Sequence, residues 1–239
     1  MNDVMTNILS QKTTRLIDGD KHLLAELERE VLDEDGMPKV VPAEVYLKYP
    51  HDQLRVFGGL NGLFVFPTCE LVDFLRKEIG TGKALEIGAG NGVVAKALGA
   101  IATDNYQQSP DFRPEPKFQG LWQQLMDSLT TTGNAPVRYG EHVLRQDAIS
   151  AVVKHRPDVT YGLFVTHRVR VGESGGSVMG IEEHKILKRS RYIMAGNLVT
   201  HEHKHLLALP HQEITLPGLV TRAAVQDANR IFIWEKQAR

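Results

Sequence analysis

Three glycines at alternate positions, directly after a short apolar run, constrain the fold of this chain more than any other feature. Residues 84–87 have the composition of a buried strand, and the glycines of residues 88–92 follow at once. Residues 93–98 can begin a helix, and an apolar run over 101–104 can begin a second strand. Strand, glycine turn, helix and strand in this order predict an α/β fold, because parallel strands need a crossover connection that a helix commonly supplies.

The alternation of strand and helix patterns continues to the end of the chain. It predicts a Rossmann-like, mostly parallel sheet with helices on both faces and a C-terminal antiparallel strand pair. The predicted helices cover residues 67–79, 93–98, 149–155 and 181–190, and the predicted strands cover residues 84–87, 101–104, 142–145, 159–166, 192–199, 213–219 and 231–234.

Two segments depart from this alternation. Residues 1–59 are predicted to form one amphipathic helix and a looped arm, because apolar residues recur at helical spacing before glycine and proline break the pattern. Those apolar positions are Leu16, Leu23, Leu24, Leu27 and Val31. Residues 60–239 are predicted to form the α/β domain, with an irregular insert at 105–140 that holds one short helix over 121–129. An insert of this length is typical of a lid or a binding loop.

Composition narrows the classes of protein and the partners. Of the 239 residues, 28 are Lys or Arg and 29 are Asp or Glu, so the net charge of −1 gives no general attraction to nucleic acid. Cys69 is the single cysteine, which excludes an internal disulfide and a multi-cysteine metal site. Residues 1–10 lack the basic start and apolar run of a secretory signal, and no apolar run reaches membrane-spanning length. We therefore expect a cytoplasmic protein with no membrane partner.

The acidic residue before the glycine turn indicates the kind of cofactor. Glycines let the backbone approach a ligand closely. Counted from Gly90, the turn also fits a variant of the G-x-G-x-x-G dinucleotide motif, with Ala95 in the third place. A carboxylate at Glu86, however, would lie close to the diphosphate of a dinucleotide and repel it. A cofactor with a cationic group fits Glu86 better, and NAD(P) binding stays the alternative.

The segment Glu86-Ile87-Gly88-Ala89-Gly90-Asn91-Gly92 resembles the first motif of class I S-adenosylmethionine-dependent methyltransferases. The resemblance implies S-adenosyl-L-methionine as the cofactor, with contacts at Glu86, Gly88, Ala89, Gly90, Asn91 and Gly92. By the same resemblance, Asp104 at the end of the second strand, with Asn105 beside it, would hold the ribose hydroxyls. Asp147 would accept from the adenine amino group, and the backbone amide of Ala148 would meet the ring.

The sequence leaves the methyl acceptor unidentified. Amino-directed DNA methyltransferases carry an Asp or Asn, two prolines and an aromatic residue after the fourth strand. This chain has Val165-Thr166-His167-Arg168 at that place, which lacks the motif. A small molecule is therefore favoured over DNA. The basic stretch 184–191 could still touch nucleic acid, but Glu182 and Glu183 adjoin it. The insert offers aromatic surface for a flat or apolar acceptor at Phe112, Phe118, Trp122 and Tyr139.

His167 is the candidate catalytic residue, as a general base. It follows the fourth predicted strand, at the edge where open α/β sheets bind ligands. Residues 201–205 hold three histidines, but Lys204 lies among them and their spacing differs from the helical zinc motif, so no metal site is predicted. The alternative functions are an NAD(P)-binding oxidoreductase and a non-catalytic adenosyl-binding or interaction module. The oligomeric state is left open.

Overall fold

The computed structural model describes residues 21–170, 173 and 175–237. The helices are α1 (Lys21–Val31), α2 (Ala43–Leu47), α3 (His51–Leu60), α4 (Cys69–Ile79), α5 (Val93–Leu98), α6 (Gln119–Thr131), α7 (Ala148–His155) and α8 (His184–Leu187). The strands are β1 (Ala84–Ile87), β2 (Ile101–Asp104), β3 (Leu144–Arg145), β4 (Val159–Leu163), β5 (Arg191–Asn197), β6 (Gln212–Ile214) and β7 (Asn229–Trp234). Within the described ranges, no helix is long and apolar enough to cross a membrane.

The seven strands form one sheet in the order β3-β2-β1-β4-β5-β7-β6. All pairs formed within β1 to β5 are parallel. Strand β7 runs antiparallel to both β5 and β6. Because β2 and β3 lie on one side of β1 while β4 and β5 lie on the other, the chain reverses its winding direction between β1 and β4. The predicted α/β class with a C-terminal antiparallel pair is confirmed.

Helices cover both faces of the sheet, as predicted. On one face, α4 and α5 belong to the same core as Tyr161 and Ile193. On the other face, α7 and α8 share a core with Tyr192, Met194 and Trp234. Ile193 of β5 thus points to one face of the sheet and its neighbours Tyr192 and Met194 point to the other, as expected from the alternation of side chains along a strand. Both faces being covered, β5 is apolar along most of its length, which is typical of a central strand.

Residues 21–60 fold into three helices rather than the single helix and looped arm that the sequence predicted. Helices α1, α2 and α3 share a core in which Leu27, Tyr46 and Phe57 are completely buried. Phe66, after α3, and Val220, near the C-terminus, complete this core. The N-terminal helices thus pack directly onto a segment that follows β6.

Prolines account for the extra helices. Pro42 and Pro50 immediately precede the first residues of α2 and α3, with φ of −55° and −56°. The proline ring fixes φ near the helical value, so proline is tolerated where a helix starts. Proline was expected to break the helical pattern of this segment, but Pro42 stands where α2 starts. Leu16 of the predicted helix lies outside the described residues, and the division of the chain after residue 59 stays a prediction.

Several predicted elements are shorter than their patterns, whereas the helix predicted within the insert is confirmed as α6. The strands predicted over 142–145 and 159–166 are confined to β3 and β4. The helix predicted over 181–190 is confined to α8, because the amide of Ile181 donates to the carbonyl of Thr166 and its own carbonyl accepts from the amide of Arg168. These bonds hold Ile181 beside the segment that follows β4. The strand predicted over 213–219 is confined to β6.

Candidate functional site

A cleft opens at the carboxyl ends of β1, β2 and β4, where the winding direction of the sheet reverses. Ligands of open α/β sheets bind at this position, because connections on the two sides diverge and leave a crevice. The cleft holds about 1200 Å³ of space, counting the part open to solvent. Its walls come from the glycine turn, the segments after β2 and β4, the start of α7, and two covering segments within residues 62–67 and 137–139.

The glycine turn needs glycine for both conformation and space. Gly88 and Gly90 have φ of +60° and +54°, a region that residues with side chains rarely adopt. A Cβ on Gly88 would lie 2.9 Å from Cγ1 of Val165, and a Cβ on Gly90 would lie 3.0 Å from Cγ1 of Val137. Val165 and Val137 belong to the walls facing the turn, so the backbone approaches both closely.

Gly92 is the predicted cofactor-contact residue that the structure does not bring to the cleft. A Cβ on Gly92 would lie 2.6 Å from both His142 Nε2 and Val143 Cγ2, so glycine is required there for packing. The sequence spacing had not separated this role from ligand binding. All other predicted contact residues line the cleft, namely Glu86, Gly88, Ala89, Gly90, Asn91, Asp104, Asn105, Asp147 and Ala148.

Glu86 is buried beneath the turn, with an exposed fraction of 2%. It lies opposite Tyr161 in the pairing of β1 with β4, and the Tyr161 hydroxyl donates to Glu86 Oε2 over 3.1 Å. The pKa of Glu86 is raised to about 8, mainly by burial and to a smaller extent by the carboxylate of Asp104, while the hydrogen bond from Tyr161 opposes the change. A carboxyl group with this pKa is mostly protonated at neutral pH, and a cation in the cleft would favour its charged form.

Asp104 ends β2 and connects this strand to the glycine turn. Its Oδ2 accepts from the amide of Gly90 over 3.0 Å, and its Oδ1 accepts from the amide of Tyr106 over 2.9 Å. Burial raises the pKa of Asp104, and these backbone amides oppose the rise. The carboxylate is thereby held at a fixed position in the wall of the cleft, beside Asn105.

Asp147 is the N-cap of α7 and also a wall residue of the cleft. Its Oδ1 accepts from the amides of Ile149 and Ser150, each over 3.0 Å. Capping is a common role for aspartate and fixes the direction of its carboxylate. Because both bonds use Oδ1, Oδ2 can accept a further hydrogen bond. Ala148, the first residue of α7, lies beside it in the wall.

His167, the candidate general base, does not line the cleft, although Thr166 before it does. The His167 side chain is buried, and its ring centroid lies 5.7 Å from that of His205. After β4 the chain passes through a left-handed residue, Phe164, with φ of +62°, and from there Thr166 rather than His167 faces the cleft. Burial lowers the pKa of His167. The position of the ring gives no support to a role in proton transfer within the cleft.

Of the two covering segments, 62–67 was not predicted from the sequence, whereas 137–139 belongs to the insert that was predicted to be a lid or a binding loop. Residues 62–67 carry no motif, and their apolar character indicated burial without indicating a ligand. The end of the insert reaches the cleft because Gln108 accepts from the amide of Val137 over 2.9 Å and Tyr139 stacks on Tyr106 at 4.0 Å between ring centroids. Of the four insert aromatics singled out in the sequence, Tyr139 lines the cleft, whereas Phe112, Phe118 and Trp122 do not.

The segment after β2 supplies a further polar group. Gln107 lines the cleft, and its Oε1 is buried without a hydrogen-bond partner among the described residues. A buried carbonyl oxygen of this kind is costly unless a donor reaches it. Gln107 is therefore placed to accept from a bound ligand. Nothing in the sequence pattern distinguished it from other loop glutamines.

Of the acidic and basic side chains that the wall of the cleft could hold, the described residues supply acidic ones alone. They belong to Glu86, Asp104 and Asp147, and no Lys, Arg or His of the described residues joins them. Grouped carboxylates attract cations and disfavour phosphate groups. The cleft therefore suits a ligand that carries positive charge.

Near the histidine-rich segment 201–205 lies a buried ion pair. Lys204 Nζ donates to Glu183 Oε2 over 2.6 Å, with side-chain exposures of 0% and 1%, and the Tyr192 hydroxyl donates to Glu183 Oε1 over 2.6 Å. Burial lowers the pKa of Lys204, and Glu183 opposes the change. Across the described parts of the chain, no three His, Cys, Asp or Glu side chains are grouped as they would be around a metal ion.

Comparisons with known proteins find similarity among solved structures alone. No protein-family model matches the sequence, and no curated protein matches it either. A Thermoplasma acidophilum protein is 15% identical over 79% of this chain and 91% of that chain, with a TM-score of 0.31. A proposed methyltransferase from Escherichia coli is 15% identical, with coverages of 70% and 85% and a TM-score of 0.29. A proposed SAM-dependent methyltransferase from Streptococcus mutans is 11% identical, with coverages of 67% and 46% and a TM-score of 0.33.

Proposed function

We propose that this protein is an S-adenosylmethionine-dependent methyltransferase that binds its cofactor in the cleft. The observation that carries the proposal is the wall of three carboxylates, Glu86, Asp104 and Asp147, around the glycine turn, without a basic side chain from the described residues. S-adenosylmethionine carries a sulfonium, an ammonium and a carboxylate group, so it is a net cation without phosphate. When bound, it supplies a methyl carbon that the sulfonium makes electrophilic, so the protein contributes mainly by positioning the reactants.

Each carboxylate has a role that fits its surroundings. Glu86 is the buried group that a cation would draw into its charged form, and we assign it to the ammonium end of the cofactor. Asp104 is held by the amide of Gly90 and is assigned to the ribose hydroxyls. Asp147 keeps Oδ2 for the adenine amino group, and Gln107 offers a buried acceptor in the same wall. These assignments follow the resemblance of the glycine motif and the positions of the side chains.

NAD(P) is the alternative cofactor for a cleft of this kind. Its diphosphate would lie against the glycine turn, close to the buried carboxyl of Glu86 and the carboxyl of Asp104. Binding would then require Glu86 to keep its proton, and the carboxyl of Asp104 to lie against a phosphate group or to leave the wall. The charge of the cleft therefore favours S-adenosylmethionine over NAD(P).

Isothermal titration calorimetry tests the proposal. We expect S-adenosylmethionine and S-adenosylhomocysteine to bind with a Kd of about 1–100 µM, and NADH and NADPH to produce no saturable heat. Saturable binding of a nicotinamide cofactor without the adenosyl pair would favour an oxidoreductase. Adenosyl binding without methyl transfer to any acceptor would favour a non-catalytic module. No binding of any of the four compounds would contradict the proposed site.

Gly90→Val tests the position of the site. The new side chain would extend from a Cβ that already lies 3.0 Å from Val137 Cγ1, so we expect the Kd for S-adenosylhomocysteine to rise about tenfold or more. Gly99→Val is the matched control, because Gly99 has a similar φ of +66°, open space within 4 Å of the place its Cβ would take, and no place in the cleft wall. Backbone strain is then common to both variants, and an equal Kd for the two would contradict the assignment.

A further inference from the structure

The order of the strands divides the cleft into two halves. Strands β2 and β3 lie on one side of β1, and β4 lies on the other. Asp104 ends β2 and Asp147 follows β3, so these two carboxylates belong to the first half. The second half is bounded by residues 163–166, which end and follow β4, and by wall residues within 62–67 and 179–181. If the cofactor lies along the first half, the second half is left for the methyl acceptor.

The second half of the cleft has an apolar lining. Among its wall residues from 62–67, 163–166 and 179–181, Thr166 is the one with a polar side chain. The Thr166 side chain is exposed, so its hydroxyl is accessible to a bound molecule. A charged acceptor would lose its hydration here without gaining a counter-charge, which is costly. The lining therefore favours an uncharged acceptor.

Two aromatic rings form part of this lining. Phe64 and Phe164 stack with 6.1 Å between ring centroids and 27° between ring planes. Phe164 is fixed by the hydrogen bond from its amide to the carbonyl of Ala195 and by an edge contact with His201, at 4.6 Å between centroids. Both phenylalanines are half-buried and line the cleft, so each presents part of its ring to a ligand. Aromatic rings add specific stacking energy to apolar burial, which favours a planar ligand.

The cation at Arg222 lies behind this lining rather than in it. Its guanidinium carbon is 3.7 Å from the ring centroid of Phe64, while one of its nitrogens donates to the carbonyl of Gly58 and to Asn134 Oδ1 over 3.4 and 3.5 Å. Arg222 is not a wall residue of the cleft. Its hydrogen bonds are directed to the backbone of α3 and to the insert. The surface that Phe64 and Phe164 present to the cleft is therefore uncharged.

We propose that the second half of the cleft binds a neutral aromatic small molecule, of the arylamine class, as the methyl acceptor. This inference rests on the proposed methyltransferase function. Phe64 and Phe164 contact the ring, and the Thr166 hydroxyl is the polar group nearest to the nucleophile. The wall of this half holds no His, Lys, Asp or Glu from the described residues, so an acceptor whose nucleophile needs a protein base is disfavoured.

An arylamine needs no protein base, because it is uncharged at neutral pH and its nitrogen has a free lone pair. The lone pair forms a bond to the methyl carbon while the carbon–sulfur bond of the sulfonium breaks, and that electron pair goes to sulfur to give a neutral thioether. The N-methylated ammonium then loses its proton to water. No oxidant, reductant or further reactant is needed, and the positive charge of the sulfonium leaves as a proton.

The test compares the methylation of three naphthylamine probes, 1-aminonaphthalene, 5-aminonaphthalene-1-sulfonamide and 5-aminonaphthalene-1-sulfonate. The methylated product is measured by mass spectrometry. We expect kcat/KM for each neutral probe to exceed that for the sulfonate by about tenfold or more, since the sulfonamide matches the sulfonate in size but not in charge. Phe64→Ala and Phe164→Ala should each raise KM for the neutral probes about tenfold while leaving the Kd for S-adenosylhomocysteine within about twofold. Phe118→Ala, outside the wall, should change neither.

The Kd for S-adenosylhomocysteine, measured on every variant, separates the two proposals. Loss of adenosyl binding in the unmodified protein would overturn the proposed function itself. Normal adenosyl binding with no methylation of either neutral probe would overturn the acceptor inference alone. Equal turnover of sulfonate and sulfonamide, or an unchanged KM in both phenylalanine variants, would also overturn it.

Discussion

Lys204→Met is expected to lower the free energy of unfolding by about 3–5 kcal/mol, because it leaves the carboxylate of Glu183 buried without its cation. For a chain of this size that corresponds to a fall in melting temperature of roughly 10 °C. Thermal and urea unfolding followed by circular dichroism measure both quantities. The neighbouring pair Lys185–Glu182 is the matched control, since it has a similar distance of 2.8 Å but side-chain exposures of 45% and 27%. Lys185→Met should change stability by less than about 0.5 kcal/mol.

A double variant identifies the cause of the loss. Lys204→Met combined with Glu183→Gln removes both charges and keeps an acceptor for the hydroxyl of Tyr192. It should be more stable than Lys204→Met alone, because replacing both partners of a buried pair costs less than removing one. If the double variant were no more stable than the single variant, lost packing of the lysine chain rather than the unpaired carboxylate would explain the effect.

The local parts of the site could be predicted from the sequence. The glycine turn follows β1 without a break, and Asp104 ends the next strand, so a few residues of pattern fix their positions in the sheet. Parallel strands bring their carboxyl ends to one edge, and Asp147 reaches the same edge by capping α7. Their roles toward a cofactor were predicted by resemblance to the methyltransferase motifs, whereas their places at this edge follow from the order of the strands.

The parts that depend on long-range packing could not be predicted. Phe64 and Tyr139 reach the cleft from segments about 75 residues apart in the chain, and no local pattern records that they share a wall. Gly92 belongs to the motif by spacing, yet it packs against His142 and Val143 instead of lining the cleft. His167 follows β4 as expected, but after the left-handed residue Phe164 it is Thr166 rather than His167 that lines the cleft. Each difference arises from contacts between segments that sequence periodicity does not describe.

Stability and cofactor binding should depend on pH through Glu86. Its pKa is about 8 in the folded protein and 4.5 without the effects of folding, so the folded state binds the extra proton between these values. The stability that this group contributes is complete below pH 4.5 and is lost as the pH rises through about 8. At about 1.4 kcal/mol per pKa unit, the wild-type protein should lose roughly 3–5 kcal/mol relative to Glu86→Gln between about pH 4.5 and 9. Urea unfolding of the two proteins across this range measures the difference, and parallel curves would contradict the buried, protonated state of Glu86.

The same proton should leave when the cofactor binds. If the ammonium group of S-adenosylmethionine lies beside Glu86, it draws the carboxyl into its charged form, so about one proton or somewhat less should be released at pH 7. Calorimetry in buffers of different ionisation enthalpy counts this proton, and affinity should rise with pH up to about 8. Glu86→Gln should release no proton and bind about 100-fold more weakly, because a neutral amide cannot balance the ammonium charge. Proton release that persists in Glu86→Gln would assign the titration to another group, with Asp104 as the neighbouring half-buried acid in the same wall.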